Sequence, residues 1–89
     1  MQFVYVLYSK TDNMVYIGCT NDLKKRLELH NAKKVRSTKL RGPFELIFYE
    51  AFTNSHDGYE REQYLKTGWG RNYIKKVAKN YFIGKNFGG

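Results

Sequence analysis

Two short runs of apolar residues, separated and followed by polar residues, lie near the start of the chain. They cover about residues 2–8 and 14–19, and their aliphatic residues alternate with tyrosine, which predicts two β-strands. The segment between them, residues 9–13, is polar and turn-prone, so the strands are expected to pair as a β-hairpin. Their aliphatic residues are expected to share one buried side of the sheet: Val4, Val6, Val15 and Ile17.

Each predicted strand also carries a tyrosine on the face opposite to its aliphatic residues. In an antiparallel pair the residue numbers of opposed positions share one sum, and any odd sum places Tyr5 and Tyr16 on the same face. A sum of 21 sets the two tyrosines directly across from each other. It also leaves open space at Gly18, beside Phe3. The two phenols are therefore expected to share a surface.

A helix is predicted over residues 21–31, with Leu23 and Leu27 facing inward and Thr20 or Asn21 as its N-cap. A basic loop covers residues 32–43 and is followed by a third strand, residues 44–49. In that strand three residues are expected on one face and three on the other: Phe44, Leu46 and Phe48 against Glu45, Ile47 and Tyr49.

Two further helices are predicted after the third strand. The first begins near Asp57, where Glu60 would complete a reciprocal cap, and it runs to about Thr67. Gly68, Trp69 and Gly70 are expected to break it, with Trp69 as a core plug rather than a base-stacking platform. The second helix covers about residues 71–81.

These elements predict an α+β fold, a three-stranded antiparallel sheet flanked by about three helices. Residues 1–82 would form a single domain, and residues 83–89, which are rich in glycine, a flexible C-terminal tail. The apolar start of the chain is too short for a signal peptide or a membrane span, and Cys19 has no partner for a disulfide. Cys19 is expected to be a small half-buried strand residue, and the protein to be cytoplasmic without membrane contact.

Positive charge is concentrated in two segments of the chain, which has a net charge of +8. Residues 21–41 and residues 61–89 each carry a balance of +6, whereas residues 42–60 hold four acids and no base. This distribution favours a nucleic-acid partner over a merely solvated surface. The candidate nucleic-acid-binding residues are Lys24, Lys25, Lys33, Lys34, Arg36, Lys39 and Arg71.

Four side chains form a candidate catalytic set: Tyr5, Tyr16, Arg26 and Glu62. Hydrolysis of a phosphodiester needs a base for water, positive charge for the anionic transition state, and usually a metal ion. His30 lies one helical turn after Arg26, on the same helix face. A single carboxylate, Glu62, among many cations suits one divalent ion, preferably Mg²⁺ (or Mn²⁺). Each residue also has a structural explanation; Glu62, for example, could simply pair with Lys66.

Five segments of the chain together resemble the successive motifs of the GIY-YIG nuclease domain, in order and in spacing. They are Phe3–Val4–Tyr5, Tyr16–Ile17–Gly18, Asn21 to Leu27, His30–Asn31 and Arg61 to Lys66. The resemblance covers nearly the whole chain and is greatest to the small stand-alone, single-domain bacterial members. It implies the same sheet and metal-dependent cleavage of DNA.

The resemblance also implies a role for each residue of the set. Tyr16 would be the general base and Tyr5 would orient the water or the substrate. Arg26 would clamp the scissile phosphate, Glu62 would ligate the cation, and His30 would assist the leaving group or position a phosphate.

The chain departs from the family's pattern at a few positions. Phe3 and Val4 replace Gly and Ile in the first motif, and Cys19 stands where some relatives have Lys or Ser. A supporting asparagine could be Asn72 or Asn80.

The sequence thus predicts a metal-dependent endonuclease acting on DNA, structure-directed or weakly sequence-specific, because no part of the chain remains to read bases. A monomer would cut one strand, and only a dimer on the substrate would cut both. A partner protein that supplies specificity stays an open alternative. Roles in DNA repair, mobile elements and defence stay open, as does RNA as the substrate. The alternative is a non-catalytic nucleic-acid-binding module on the same fold.

Overall fold

A computed structural model describes residues 1–36 and 38–85 of the chain. Its strands are β1 (Gln2–Ser9), β2 (Val15–Thr20) and β3 (Phe44–Phe52), and its helices are α1 (Leu23–Asn31), α2 (Ser55–Leu65), α3 (Gly68–Val77) and α4 (Lys79–Phe82). The strands form one antiparallel sheet in the order β2-β1-β3. The predicted α+β fold is confirmed, with a short fourth helix. Of the expected tail, residues 86–89 lie outside the described residues.

The hairpin of β1 and β2 has a different register from the predicted one. Tyr5 lies opposite Gly18 and Tyr16 opposite Leu7, so the residue numbers sum to 23 and not to 21. The turn determines this register, because Ser9 N donates to Met14 O at 2.9 Å and Asn13 takes a positive φ of 60° inside the turn. Since 23 is also odd, Tyr5 and Tyr16 still share a face of the sheet.

The sheet is covered on both faces. On one face Val4, Val6 and Val15 pack with residues of α2 and α3, among them Leu65 and Ile74. The prediction that the aliphatic hairpin residues share a buried side is confirmed.

The opposite face holds a second apolar cluster built on Tyr5, Leu7 and Phe44. Leu23 and Leu27 of α1 pack against it, as their spacing predicts. The tyrosine face is therefore buried as well, and α1 is the helix that covers it.

The third strand is longer than predicted and contains an irregularity. Val6 pairs with Phe48 while the next residue, Leu7, pairs with Leu46, so Ile47 is an extra residue in a β-bulge. The bulge shifts the alternation by one position. Phe48 therefore joins the cluster on the α2 and α3 side, and the expectation that it faces the same way as Leu46 is wrong.

The N-caps of α1 and α2 differ from the predicted ones. Asp22, rather than Thr20 or Asn21, caps α1 by accepting a hydrogen bond from Lys25 N at 3.1 Å. Asn54 caps α2 through its Oδ1, which accepts from two backbone amides. The predicted cap by Asp57 and Glu60 is wrong.

Gly68, Trp69 and Gly70 begin α3 instead of merely ending α2. Thr67 caps this helix by accepting from Gly70 N at 3.2 Å. A Cβ at Gly70 would lie 2.3 Å from the Cα of Leu65, so only glycine allows this close approach of the two helices. Trp69 is 77% exposed, so the core-plug prediction is wrong. The single helix predicted over residues 71–81 is divided into α3 and α4 at Ala78.

Within the two described ranges, no helix has the length and apolar character needed to cross a membrane.

Candidate functional site

A cleft of about 560 Å³ lies against β2, one of the two edge strands of the sheet. Helix α1 and the following loop line it from one face of the sheet, and α2 and α3 line it from the other. All five predicted catalytic residues line this cleft: Tyr5, Tyr16, Arg26, His30 and Glu62.

Tyr5 is buried at the base of the cleft, with its ring lying over Gly18. A Cβ at Gly18 would stand 2.2 Å from the phenolic oxygen, so the absence of a side chain there makes room for the ring. Arg26 Nε donates a hydrogen bond to the phenolic oxygen at 3.4 Å. That oxygen also lies 2.9 Å from Nε2 of His30.

His30 occupies the last turn of α1 and is 4% exposed. Both ring nitrogens have partners, since Nδ1 lies 2.7 Å from Thr38 Oγ1 while Nε2 faces Tyr5. Burial lowers the pKa of His30 from its usual value, and the charge of Arg26 lowers the pKa further. The imidazole is therefore neutral at neutral pH.

Tyr16 is held by a carboxylate that lies four residues earlier, in the hairpin turn. Its hydroxyl donates to Asp12 Oδ2 at 2.7 Å, and Met14 N donates to the other carboxylate oxygen at 3.0 Å. Burial raises the pKa of Tyr16 above its usual value, and the hydrogen bond to Asp12 adds to that rise. Tyr16 is thus a neutral phenol whose proton points at Asp12.

Asp12 is ionised at neutral pH. Burial acts to raise the pKa of Asp12, but hydrogen bonds from Tyr16, Ser9 and Met14 and the charge of Arg41 together lower it. Arg41 NH1 lies 3.6 Å from the carboxylate.

Glu62, in the second half of α2, is the only carboxylate that lines the cleft among the described residues. Its side chain is 14% exposed, and Oε2 accepts a hydrogen bond from Lys66 Nζ at 2.9 Å. The pairing that the sequence allowed as an alternative is therefore present. Three cations also line the cleft, Arg26, Lys66 and Arg71, so its charge is positive.

Arg71 carries an unsatisfied donor. Its NH1 atom is buried and has no hydrogen-bond partner among the described residues. Since buried polar groups are usually paired, this unsatisfied donor on a residue that lines the cleft makes Arg71 a candidate contact for an anionic ligand there.

The residues of the cleft can accommodate one hard divalent ion. No cluster of three or more His, Cys, Asp or Glu residues exists in the described part of the chain, so a cage made only of protein ligands is absent there. Mg²⁺ typically binds through one or two carboxylates, with water and substrate phosphate oxygens as its other ligands. Glu62 fits that requirement.

The other predicted nucleic-acid-binding residues lie outside the cleft. Six of them are exposed on α1 and the loop after it: Lys24, Lys25, Lys33, Lys34, Arg36 and Lys39. Arg36 and Lys39 border a second, smaller depression of about 340 Å³ together with Arg41. Asn72 and Asn80 are both exposed, and neither lines the cleft.

Cys19 is half-buried, as expected, and lines the cleft. Its Sγ accepts a hydrogen bond from Gln2 Nε2 at 3.0 Å.

Sequence reasoning missed two residues that hold the candidate set in place, Asp12 and Thr38. Asp12 had a usable signal, because a carboxylate in a hairpin turn lies within reach of a tyrosine at the start of the returning strand. Thr38 had none, because the fold of the loop decides whether it meets His30.

Residues 1–74 match the GIY-YIG catalytic domain. The chain belongs to this family, which is a family of nucleases. Among small bacterial relatives, it is 40% identical over 67 residues to the UPF0213 protein CPE1444 of Clostridium perfringens, covering 74% of this chain and 71% of that one. It is 46% identical over 65 residues to the UPF0213 protein YazA of Bacillus subtilis, covering 72% and 65% respectively. It is 37% identical over 86 residues to a UPF0213 protein of Lactococcus lactis, covering 96% and 87%. No solved structure matches the chain significantly.

Proposed function

We propose that the protein is a divalent-metal-dependent endonuclease that hydrolyses phosphodiester bonds in DNA, with weak sequence preference. One observation supports this most strongly: two phenols, a guanidinium, an imidazole and a carboxylate converge on one positively charged cleft. A cleft of that charge attracts a phosphodiester, and its side chains supply the acid–base and electrostatic functions that hydrolysis needs.

The proposed base is Tyr16, acting together with Asp12. Water attacks the phosphorus, a new P–O bond forms, and the bond to the leaving oxygen breaks. The proton of the water passes to the phenolic oxygen of Tyr16 while the phenolic proton passes along the 2.7 Å hydrogen bond to Asp12. The leaving oxygen takes a proton from solvent. This relay lets a neutral phenol accept a proton at neutral pH, where an isolated phenolate would be scarce.

Arg26 and Arg71 are the proposed contacts of the scissile phosphate. Arg26 is directed toward the cleft base through its Nε contact with Tyr5, and Arg71 has its free buried NH1 group. Guanidinium groups suit the charge that spreads over phosphate oxygens in the transition state. Tyr5 orients the water or the phosphate, and His30 acts through Tyr5.

Glu62 would hold one Mg²⁺ or Mn²⁺ ion. When bound there, the ion supplies positive charge that stabilises negative charge developing on the phosphate. Lys66, which donates to Glu62 Oε2, would then be able to contact the nucleic acid backbone instead.

Recognition in this proposal depends on phosphates and DNA shape. The exposed lysines of α1 and the loop lie beside the cleft and would contact the backbone without reading bases. Affinity should therefore fall steeply with salt, and selectivity should follow flaps, branches or single strands, or come from a partner protein. One cleft per chain favours nicking by a monomer, with double-strand cleavage only by a dimer on the substrate. We propose the cytoplasm as the location of this activity and DNA repair as one setting for it.

A non-catalytic DNA-binding module is the second candidate. The ion pair of Glu62 with Lys66 favours it, because a carboxylate that serves only as a helix-surface partner needs no metal.

The test is cleavage of single-stranded, duplex, flap and branched DNA and of structured RNA, with Mg²⁺, with Mn²⁺ and with chelator. Glu62→Gln should abolish cleavage by removing the metal ligand, whereas DNA affinity should hold or rise because one negative charge leaves the cleft. Glu60→Gln is the matched control, since Glu60 lies in the same helix, exposed, and pairs with His56. Arg26→Ala should also abolish cleavage.

The non-catalytic DNA-binding module is the favoured function if the wild-type protein binds these substrates but cuts none of them with either metal ion. Equal cleavage by the Glu62→Gln and Glu60→Gln variants would exclude Glu62 as the metal ligand.

A further inference from the structure

Thr38 is a polar residue buried within an otherwise exposed basic loop. It is 4% exposed, whereas its described neighbours Arg36, Lys39 and Leu40 all lie at the surface. Its backbone is paired locally, since its amide donates to Val35 O at 3.1 Å and its carbonyl accepts from Arg41 N at 2.9 Å. These two bonds do not involve the side-chain hydroxyl, which needs a separate hydrogen-bond partner.

Among the described residues, the hydrogen-bond partner of that hydroxyl is Nδ1 of His30, at 2.7 Å. Two proton arrangements are possible. If Nδ1 carries the hydrogen and donates to Thr38, the hydroxyl hydrogen of Thr38 is buried without an acceptor, which costs about 1–3 kcal/mol. If Thr38 donates to a bare Nδ1, Thr38 and both imidazole nitrogens are satisfied, and the hydrogen left without an acceptor among the described residues is that of Tyr5, which lines the open cleft.

The second arrangement determines what happens at the other ring nitrogen. A neutral imidazole carries one hydrogen, so a bare Nδ1 means that Nε2 carries it and donates to the oxygen of Tyr5 at 2.9 Å. Arg26 donates to the same oxygen at 3.4 Å. With both donors directed at its oxygen, Tyr5 has to point its own hydrogen elsewhere, and the cleft is the open side.

We propose that Thr38 is a positioning residue that fixes His30 as the Nε2–H tautomer, so that Tyr5 presents a hydrogen-bond donor to the cleft. With the opposite tautomer, Tyr5 would donate to His30 and offer only lone pairs, which would repel a phosphate oxygen. The effect of this Tyr5 donor on cleavage rests on the proposed function, whereas the assignment of the His30 tautomer does not.

The surroundings of His30 agree with a neutral ring. The charged and titratable groups that face it in the described residues are Tyr5 from β1 and Arg26 from its own helix. The contact from β3 is the apolar ring of Phe44, 5.7 Å away between centroids. Burial and the charge of Arg26 both lower the pKa of His30.

The tautomer can be measured by long-range ¹H–¹⁵N NMR on the imidazole nitrogens at neutral pH. The chain has two histidines. His56 is exposed on α2 and serves as an internal reference. In the wild type, Nδ1 of His30 should have the shift of a bare nitrogen and Nε2 that of a protonated one. Thr38→Val removes the hydroxyl at nearly constant shape, so both shifts should move toward averaged values, and Thr38→Ser should restore the wild-type pattern.

Cleavage provides the second readout. Thr38→Val should slow cleavage by about tenfold, the effect of losing one hydrogen bond. Thr38→Ser should stay close to the wild-type rate. Should the valine variant fail to fold, the wild-type and serine spectra still decide the tautomer.

A wild-type spectrum with the proton on Nδ1 would overturn the inference whether or not the protein cleaves DNA. Equal cleavage by the valine, serine and wild-type proteins would overturn the positioning role. If the spectra are as expected but the wild type cuts no substrate, the proposed function fails while the tautomer assignment stands.

Discussion

Gly18→Ala should disrupt the candidate site and the fold together, because the methyl group would enter the space of the Tyr5 ring. It would lie 2.2 Å from the phenolic oxygen and 2.3 Å from Cζ, whereas ordinary contacts begin at 3.4 Å. The oxygen is the far end of the side chain, but it is not free to move. It is bonded to His30 and Arg26, and the ring is packed between β2 and α1.

The size of the effect follows from that geometry. The ring has to retreat by about 1.2 Å to open the 2.2 Å approach to 3.4 Å, and a movement of that size is enough to break the 2.9 Å hydrogen bond with His30. Overpacking of this kind costs about 1–3 kcal/mol, and the lost hydrogen bond adds about 1 kcal/mol. For a domain of this size, the free-energy loss corresponds to a fall in Tm of roughly 10–25 °C.

Far-UV circular dichroism during urea and thermal unfolding is the appropriate measurement, because Trp69 is already exposed in the native state and would report unfolding weakly. Gly68→Ala is the matched control. A Cβ at Gly68 meets nothing within 4 Å, and alanine favours a helix, so this variant should be neutral or more stable by up to about 1 kcal/mol.

If Gly18→Ala unfolds at the wild-type urea concentration and the His30 nitrogen shifts stay unchanged, Tyr5 does not lie over Gly18. A stable Gly18→Ala variant that has lost cleavage would mean that the ring moves easily, and that its position matters only to the site.

Three further outcomes are expected. The pKa of His30 is lowered in the folded state, so the unfolded chain binds its proton at a higher pH. The free energy of unfolding should therefore fall as the pH drops below about 6.5, by at most about 1.4 kcal/mol per pH unit. Urea titrations at several pH values should show this slope in the His56→Asn variant but not in the His30→Gln variant. Glu50→Ala should lower the free energy of unfolding by about 1.5–3 kcal/mol, because it leaves the half-buried Arg61 without its carboxylate partner. Arg61 donates two hydrogen bonds to Glu50, at 2.7 and 3.1 Å. An unchanged urea midpoint would contradict this prediction. Arg71→Ala should weaken DNA binding on every sequence and reduce the slope of log affinity against log salt by about 1, and an unchanged slope would exclude a phosphate contact.

The sequence was sufficient to predict which hairpin residues share a face of the sheet, but not the register in which the two strands pair. Period-two alternation fixes which residues share a face, and Tyr5 and Tyr16 share one under any odd sum. The exact sum depends on the length of the turn and on Asn13 adopting a positive φ, and several turn lengths suit the same polar segment. The resulting two-residue shift moves Gly18 from beside Phe3 to beneath Tyr5.

Tertiary contacts account for the other differences. Nothing in the alternation of β3 signals the bulge at Ile47, because the bulge arises from pairing with β1. Trp69 looked like a core residue by its size, yet the first turn of α3 directs it to solvent. Thr38 meets His30 only after the loop folds over α1. The candidate catalytic set was foreseeable from motif spacing, and Asp12 from its place in the hairpin turn, whereas the role of Thr38 was not.

The edge position of β2 explains how residues from opposite layers can line one cleft. Tyr5 and Tyr16 belong to the face covered by α1, whereas Glu62 comes from α2, which packs on the other face. Across a central strand such groups would be separated by the full thickness of the sheet, since successive side chains point to opposite faces. Beside an edge strand no further strand intervenes, so both layers can extend past it and meet. The same free edge is open to pairing with another strand, and such pairing would close the cleft. A dimer formed through β2 would therefore keep a substrate out of the cleft, and under the proposed function any dimer that cuts both DNA strands would have to join through another surface.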